Sequence, residues 1–164
     1  MIRMEQVLLT RHISRGTTAL QLCHSQLGSA EPLSEFHDLE LLDLSHNLLS
    51  TLPSLAHMRR LRVLDLSHNR LSRLPELPPM LQTLRFAHNR IQDASALLSA
   101  QELTHVDASF NLLKALPTAW RARLHFLDLR VNQLTGPPQW QGFAVTLLLA
   151  ENPLPPPGEN GPNG

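Results

Sequence analysis

The chain has 164 residues, with 14 basic and 14 acidic side chains and 36 leucines. That length holds one domain and a short tail, and a net charge of zero gives no electrostatic footprint for nucleic acid or an anionic membrane. The single cysteine, Cys23, excludes an internal disulfide framework and a multi-cysteine zinc site.

In chain order, residues 4–14 read as an amphipathic helix. Met4, Val7, Leu8 and the stem of Arg11 share one side, and Gly16 acts as the stop. With the turn that follows, residues 1–16 are expected to cap whatever comes next. Val7-Leu8-Leu9 is too short an apolar stretch for a signal-peptide core. No apolar run reaches the ~18 residues of a membrane span. A cytoplasmic protein is the expectation.

From residue 17 one frame recurs. Leu39-x-x-Leu42-x-Leu44-x-x-Asn47-x-Leu49 is followed by copies anchored on Asn69, Asn89, Asn111, Asn132 and Asn152. An early copy carries Ser25 at the anchor, and from there the steps are 22, 22, 20, 22, 21 and 20 residues. The x-Leu-x-Leu-x core of each copy alternates, so it reads as a short strand with one buried face. A single such strand cannot bury its leucines alone. Stacking seven builds a continuous core and a parallel sheet. The anchor amide both donates and accepts. Turned inward, it ties the loop leaving one strand to the next coil.

Between strands the chain must return along the other side. Residues 52–58 and 74–80 carry Pro53, Pro75, Pro78 and Pro79 and read as extended segments with inward Leu and Met. Residues 93–100 have no breaker and begin at Asp93, a possible cap, so a short helix is expected there. Residues 155–164 are almost wholly Pro, Gly and Asn and are expected to be disordered. No C-terminal cap is visible in the sequence, which leaves the last strand with an open edge or a cover from elsewhere.

The frame resembles the leucine-rich repeat family over residues 17–154, with short bacterial-like repeats. The resemblance implies an α/β solenoid: a right-handed coil of about seven repeats, a parallel sheet on the concave side and a mostly extended, Pro-rich convex side. It implies a non-catalytic protein-binding module, a scaffold, adaptor or regulatory protein, acting as a monomer on an unidentified protein partner. Type III secreted effectors contain repeats of this kind, so export without a Sec leader is the alternative location. The alternative function is the recognition part of a larger enzyme. The helical return departs from the short Pro-rich pattern.

Equivalent positions of a stacked sheet form columns. The column between the strand leucines reads Gln21, Asp43, Asp65, Arg85, Asp107, Asp128, Leu148, an acidic strip in which Arg85 is placed to bridge Asp65 and Asp107. The column before the anchor reads His24, His46, His68, His88, Phe110, Val131, Glu151. Four imidazoles in a row have the chemistry of a zinc or copper site. Phe110 ligates nothing yet continues the column, so no metal site is assigned; a pH-sensitive surface is the other functional reading. The column after the anchor reads Gln26, Leu48, Arg70, Arg90, Leu112, Gln133, Pro153. Aromatic and Arg side chains anchor interfaces. The candidate contact residues on the concave face are therefore His68, Arg70, Arg85, His88, Arg90, Phe110 and Leu112. Phosphate loops and a nucleophile elbow are missing. Cys23 beside His24 is read as an exposed thiol rather than a catalytic dyad, and no cofactor is assigned.

Overall fold

A computed structural model describes residues 1–154. Strand β1 (Ile2–Arg3) leads into helix α1 (Met4–Thr10), then β2 (Ala19–Gln21) and β3 (Leu27–Ser29). The repeats continue with β4 (Leu41–Asp43), β5 (Val63–Asp65), β6 (Thr83–Arg85), β7 (His105–Asp107), β8 (Arg123–Asp128) and β9 (Phe143–Leu148). β2 and β4 to β9 form one parallel sheet in chain order. Its register pairs Leu20, Leu42, Leu64, Leu84, Val106, Leu127 and Leu147 across neighbouring strands. The frame read from the sequence is therefore the frame of the sheet.

The core follows from that register. Leu20, Leu42, Leu64, Leu84, Val106 and Leu127 of the strands, the following Leu22, Leu44, Leu66, Phe86, Ala108 and Leu129, and Leu39, Leu61, Leu81, Leu103 and Leu124 are at most 2% exposed. They form one continuous cluster from Met4 to Leu134. Truncating any one of these leucines in the middle coils costs about 2–5 kcal/mol, the transfer loss plus an unfilled cavity.

The return side is mostly extended, as the prolines require. Two 3-10 helices interrupt it, at Glu31–Glu35 and Ser95–Ser99. The second stands where a short helix is expected from the sequence. Asp93 accepts the Ser95 amide at 2.8 Å, but the segment closes only a tighter turn. The first carries Pro32 near its start. It is clamped by His57, whose Nε2 donates to the carbonyls of Leu33 and Phe36 at 3.1 and 3.0 Å. Met58 is buried as expected, whereas Met80 is 43% exposed, because Leu77 and Pro78 already fill the space beneath that return. Further along, Trp120 is fully buried, donates Nε1–H to Ala100 and stacks on Trp140 at 4.9 Å. Gly142 passes under this pair, where a Cβ would run into the Ala122 carbonyl and the Trp140 ring.

The two ends differ. Met4, Val7 and Leu8 of α1 are buried over the first coil, one face of a helix at i, i+3 and i+4. β1 pairs with β3 as a separate two-stranded sheet, which the sequence did not announce. The helix is shorter than residues 4–14 and does not stop at Gly16. It closes on His12, in the left-handed region at φ 54°. The His12 amide donates to Leu9 at 3.3 Å and the Ile13 amide to Leu8 at 2.9 Å. This is a Schellman closure with Ile13 folded back onto Leu8. Arg11 consequently lies outside the packed side, its Nη2 donating to Ser25 Oγ at 3.5 Å. At the other end β9 has one neighbour, β8. Leu147, at an inward position of the frame, is 38% exposed, because no further coil among the described residues covers it. The tail expected to be disordered lies outside the described residues.

Candidate functional site

Each coil leaves its strand through the same five-residue device. Leu44 turns inward, and the Ser45 amide donates to the carboxylate of Asp43 at 2.9 Å. His46 then enters the left-handed region, and Asn47 points into the core. The Asn47 carboxamide accepts the amides of Ser25 and Leu27, both at 3.0 Å, and donates to the carbonyls of Leu22 and Leu44 at 2.9 Å. Asn69, Asn89, Asn111, Asn132 and Asn152 repeat the arrangement. Each rung carbonyl from Leu44 to Leu129 is shared by two carboxamides. That of Leu66 accepts from Asn69 and Asn89, that of Phe86 from Asn89 and Asn111. Ser25 closes the series with a hydroxyl that donates only within its own coil, to the Cys23 carbonyl, and accepts from Arg11.

The acidic column is correspondingly occupied. Asp65 accepts the Ser67 amide at 2.9 Å, Asp107 the Ser109 amide and hydroxyl at 3.0 and 2.7 Å. Asp128 is only 3% exposed and takes the Arg130 amide and guanidinium, a pair that raises the Arg130 pKa. These carboxylates hold the turn that starts each bend. Arg85 stands between Asp65 and Asp107 in the register. It forms no ion pair with either among the described residues, because both are turned toward their own Ser amides. Arg85 instead lines a hollow of about 120 Å³ on the sheet side with Thr83, His105 and Phe126.

The histidine column does not lie on the sheet. It runs along the bend that follows each strand, a rim beside the sheet face. His24, His46, His68, His88, Phe110, Val131 and Glu151 all have φ between 52° and 61°. Only glycine enters this region freely, while Asn, Asp and His are enriched among the rest. The rings repay the strain by stacking. His24, His46, His68, His88 and Phe110 form an unbroken ladder with centroids 4.3, 4.2, 4.2 and 4.1 Å apart and planes within 14°. Their amides continue the coil-to-coil bonding past the strands; His68 donates to Ala87 at 2.8 Å and His88 to Ser109 at 3.0 Å.

Ring-nitrogen lone pairs lie in the ring planes, and near-parallel planes share no point at coordination distance. The ladder geometry is thus unsuited to chelation, and among the described residues no three His, Cys, Asp or Glu converge on a metal position. The His68 pKa is lowered, first by desolvation and then by the positive charge that His88 and His46 can carry; Asp65 and Asp107 oppose the shift.

The candidate contact residues divide accordingly. His68, His88 and Phe110 belong to the ladder, and Phe110 is 44% exposed. Arg70 and Arg90 follow two residues on, both exposed and with no ion pair among the described residues. Leu112 is half-buried rather than exposed. Arg85 alone stands on the sheet. The left-handed column was not legible in the sequence, where its one signal was a His or Phe ring before five of the seven anchors. A hollow of about 660 Å³ lies elsewhere, beside the free edge of β2, and is lined by Arg11 to Ser14 and neighbours. Cys23 is an exposed free thiol. No helix among the described residues is long and apolar enough to cross a membrane.

Comparison with known proteins agrees with this architecture. A family model described as leucine rich repeat matches residues 15–71, and a second of the same description matches residues 78–97. No curated protein matches the chain. Among solved structures, a Shigella effector leucine-rich repeat domain superposes with a TM-score of 0.69 at 26% identity, covering 94% of this chain and 76% of that one. The leucine-rich repeat domain of APL1B aligns over 92% of this chain and 74% of its own at 19% identity, with a TM-score of 0.45. Frame, carboxamide ladder and matched family models together show what the coils are: leucine-rich repeats, stacked as a solenoid.

Proposed function

We propose that the chain is a non-catalytic protein-interaction module, a scaffold, adaptor or regulatory protein. In this reading it works as a monomer, residues 1–16 cap it, and residues 17–154 are the binding body. The partner docks along the rim and adjoining sheet through His68, Arg70, Arg85, His88, Arg90, Phe110 and Leu112. The observation that carries this is the rigid ladder. Backbone, carboxamides and rings hold these side chains at fixed spacing, so little ordering entropy is lost on association. Neither matched family model describes a catalytic domain.

The site of action in this reading is the cytoplasm. The likeness to a Shigella effector domain favours a second version, export without a Sec leader and action on a host protein. Affinity capture with the wild-type chain and with Arg70→Glu/Arg90→Glu tests the docking face. A specific protein retained by the wild type and lost by the variant supports the reading. An unchanged captured set refutes the choice of face.

A further inference from the structure

Over the two coils anchored on Asn69 and Asn89 the exposed charge of the rim is basic. Arg70 and Arg90 occupy adjacent coils, exposed and without ion pairs among the described residues. Beside them run four imidazoles in direct stacking contact. The carboxylates beside these rings are Asp43, Asp65 and Asp107, at the ends of β4, β5 and β7, and Asp65 and Asp107 act on His68. Each accepts a serine amide of its own coil. At the first ring, Arg11 lines the same hollow as His24, adding positive charge there. Glu151 stands at the far end of the column, two coils beyond Phe110.

We propose that the partner presents an acidic segment to this rim, and that docking carries protons onto alternate rings of the imidazole ladder. The inference rests on the docking reading above and names the partner's chemistry. Two neighbouring imidazolium rings at 4.2 Å repel each other strongly. Carboxylates laid along the exposed ring edges offset that repulsion. They favour charge at His46 and His88, or at His24 and His68. Arg70 and Arg90 supply the contacts that need no proton. By linkage, each proton taken up strengthens binding as pH falls through the histidine range, up to about tenfold per pH unit.

The test uses the full chain and a short oligo-glutamate peptide as probe, with affinity and histidine ring shifts followed by NMR at low salt between about pH 7.5 and 5.5. Binding should tighten at least tenfold over that range, and the ring titrations should move to higher pH when peptide is present. His46→Phe/His88→Phe keeps the stack, since Phe110 already occupies this column at 4.1 Å from His88. That variant should show a flatter pH dependence of binding than the wild type. A pH-independent wild-type affinity, or unmoved ring titrations, overturns the proton linkage and leaves the docking face standing. No binding of oligo-glutamate at any pH overturns the acidic partner. Undiminished binding by Arg70→Glu/Arg90→Glu places the peptide elsewhere and refutes the docking reading as well. The wild-type ring titrations need no variant, so a misfolded double substitution does not leave the question open.

Discussion

Asn89→Ala isolates what the carboxamide ladder contributes. Asn89 Oδ1 accepts the Leu71 amide at 3.0 Å, and Nδ2 donates to the carbonyls of Leu66 and Phe86 at 2.9 and 3.1 Å. The two carbonyls keep one donor each, from Asn69 and Asn111. The Leu71 amide keeps none, and Leu71 is fully buried. One orphaned buried donor costs about 1–3 kcal/mol and each forfeited bond about 1 kcal/mol, so the expected loss is about 3–5 kcal/mol. A domain of ordinary stability, about 5–15 kcal/mol, survives that with a lowered urea midpoint. Urea unfolding followed by far-ultraviolet circular dichroism and by the fluorescence of Trp120 and Trp140 reads it directly. Asn152→Ala, in the half-buried last coil, should cost less than half as much. Equal losses at both positions, or a loss under about 1 kcal/mol at Asn89, would refute the accounting.

Leu64→Ala, beneath the middle of the sheet, should cost about 2–5 kcal/mol in the same assay. Val131→His should stabilise by about 1 kcal/mol, because a β-branched residue leaves the left-handed region and a ring joins the ladder beside Phe110; a lower urea midpoint would contradict this. The lowered His68 pKa has a definite sign. The unfolded chain binds the proton first as pH falls through about 6.5, so the contribution is present above that value and lost below it. Unfolding midpoints at stepped pH should therefore fall less steeply for His68→Phe than for the wild type, and identical slopes would sink the assignment.

The leucines and asparagines carried nearly all of the fold in plain sight. Their spacing is the strand register, residue for residue, because a parallel stack repeats one geometry and tolerates one pattern. The left-handed bend was hidden, since backbone torsion leaves no direct mark when the residue is His, Phe or Val rather than Gly. The acidic column misled for a related reason. Asp43, Asp65 and Asp107 read as free charge, yet a Ser or its backbone amide two residues on claims each of them. Leu147 and Met80 failed the inward rule where no coil among the described residues covers the position or the space is already full. Gly16 looked like a helix stop, but His12 reached the left-handed region four residues earlier. The candidate contact residues were legible as positions; that most of them share a rim beside the sheet was not.

Because each inner rung carbonyl is divided between its own coil and the next, no inner coil owns a closed set of bonds. Adding or excising one whole coil, cut from one anchor asparagine to the next, leaves every rung with the same partners as before. Adding a fraction of a coil orphans several at once. The molecule is thus constrained to vary in length by discrete steps of about twenty residues, and a family of artificial variants one coil longer or shorter should keep the same spacing along its rim.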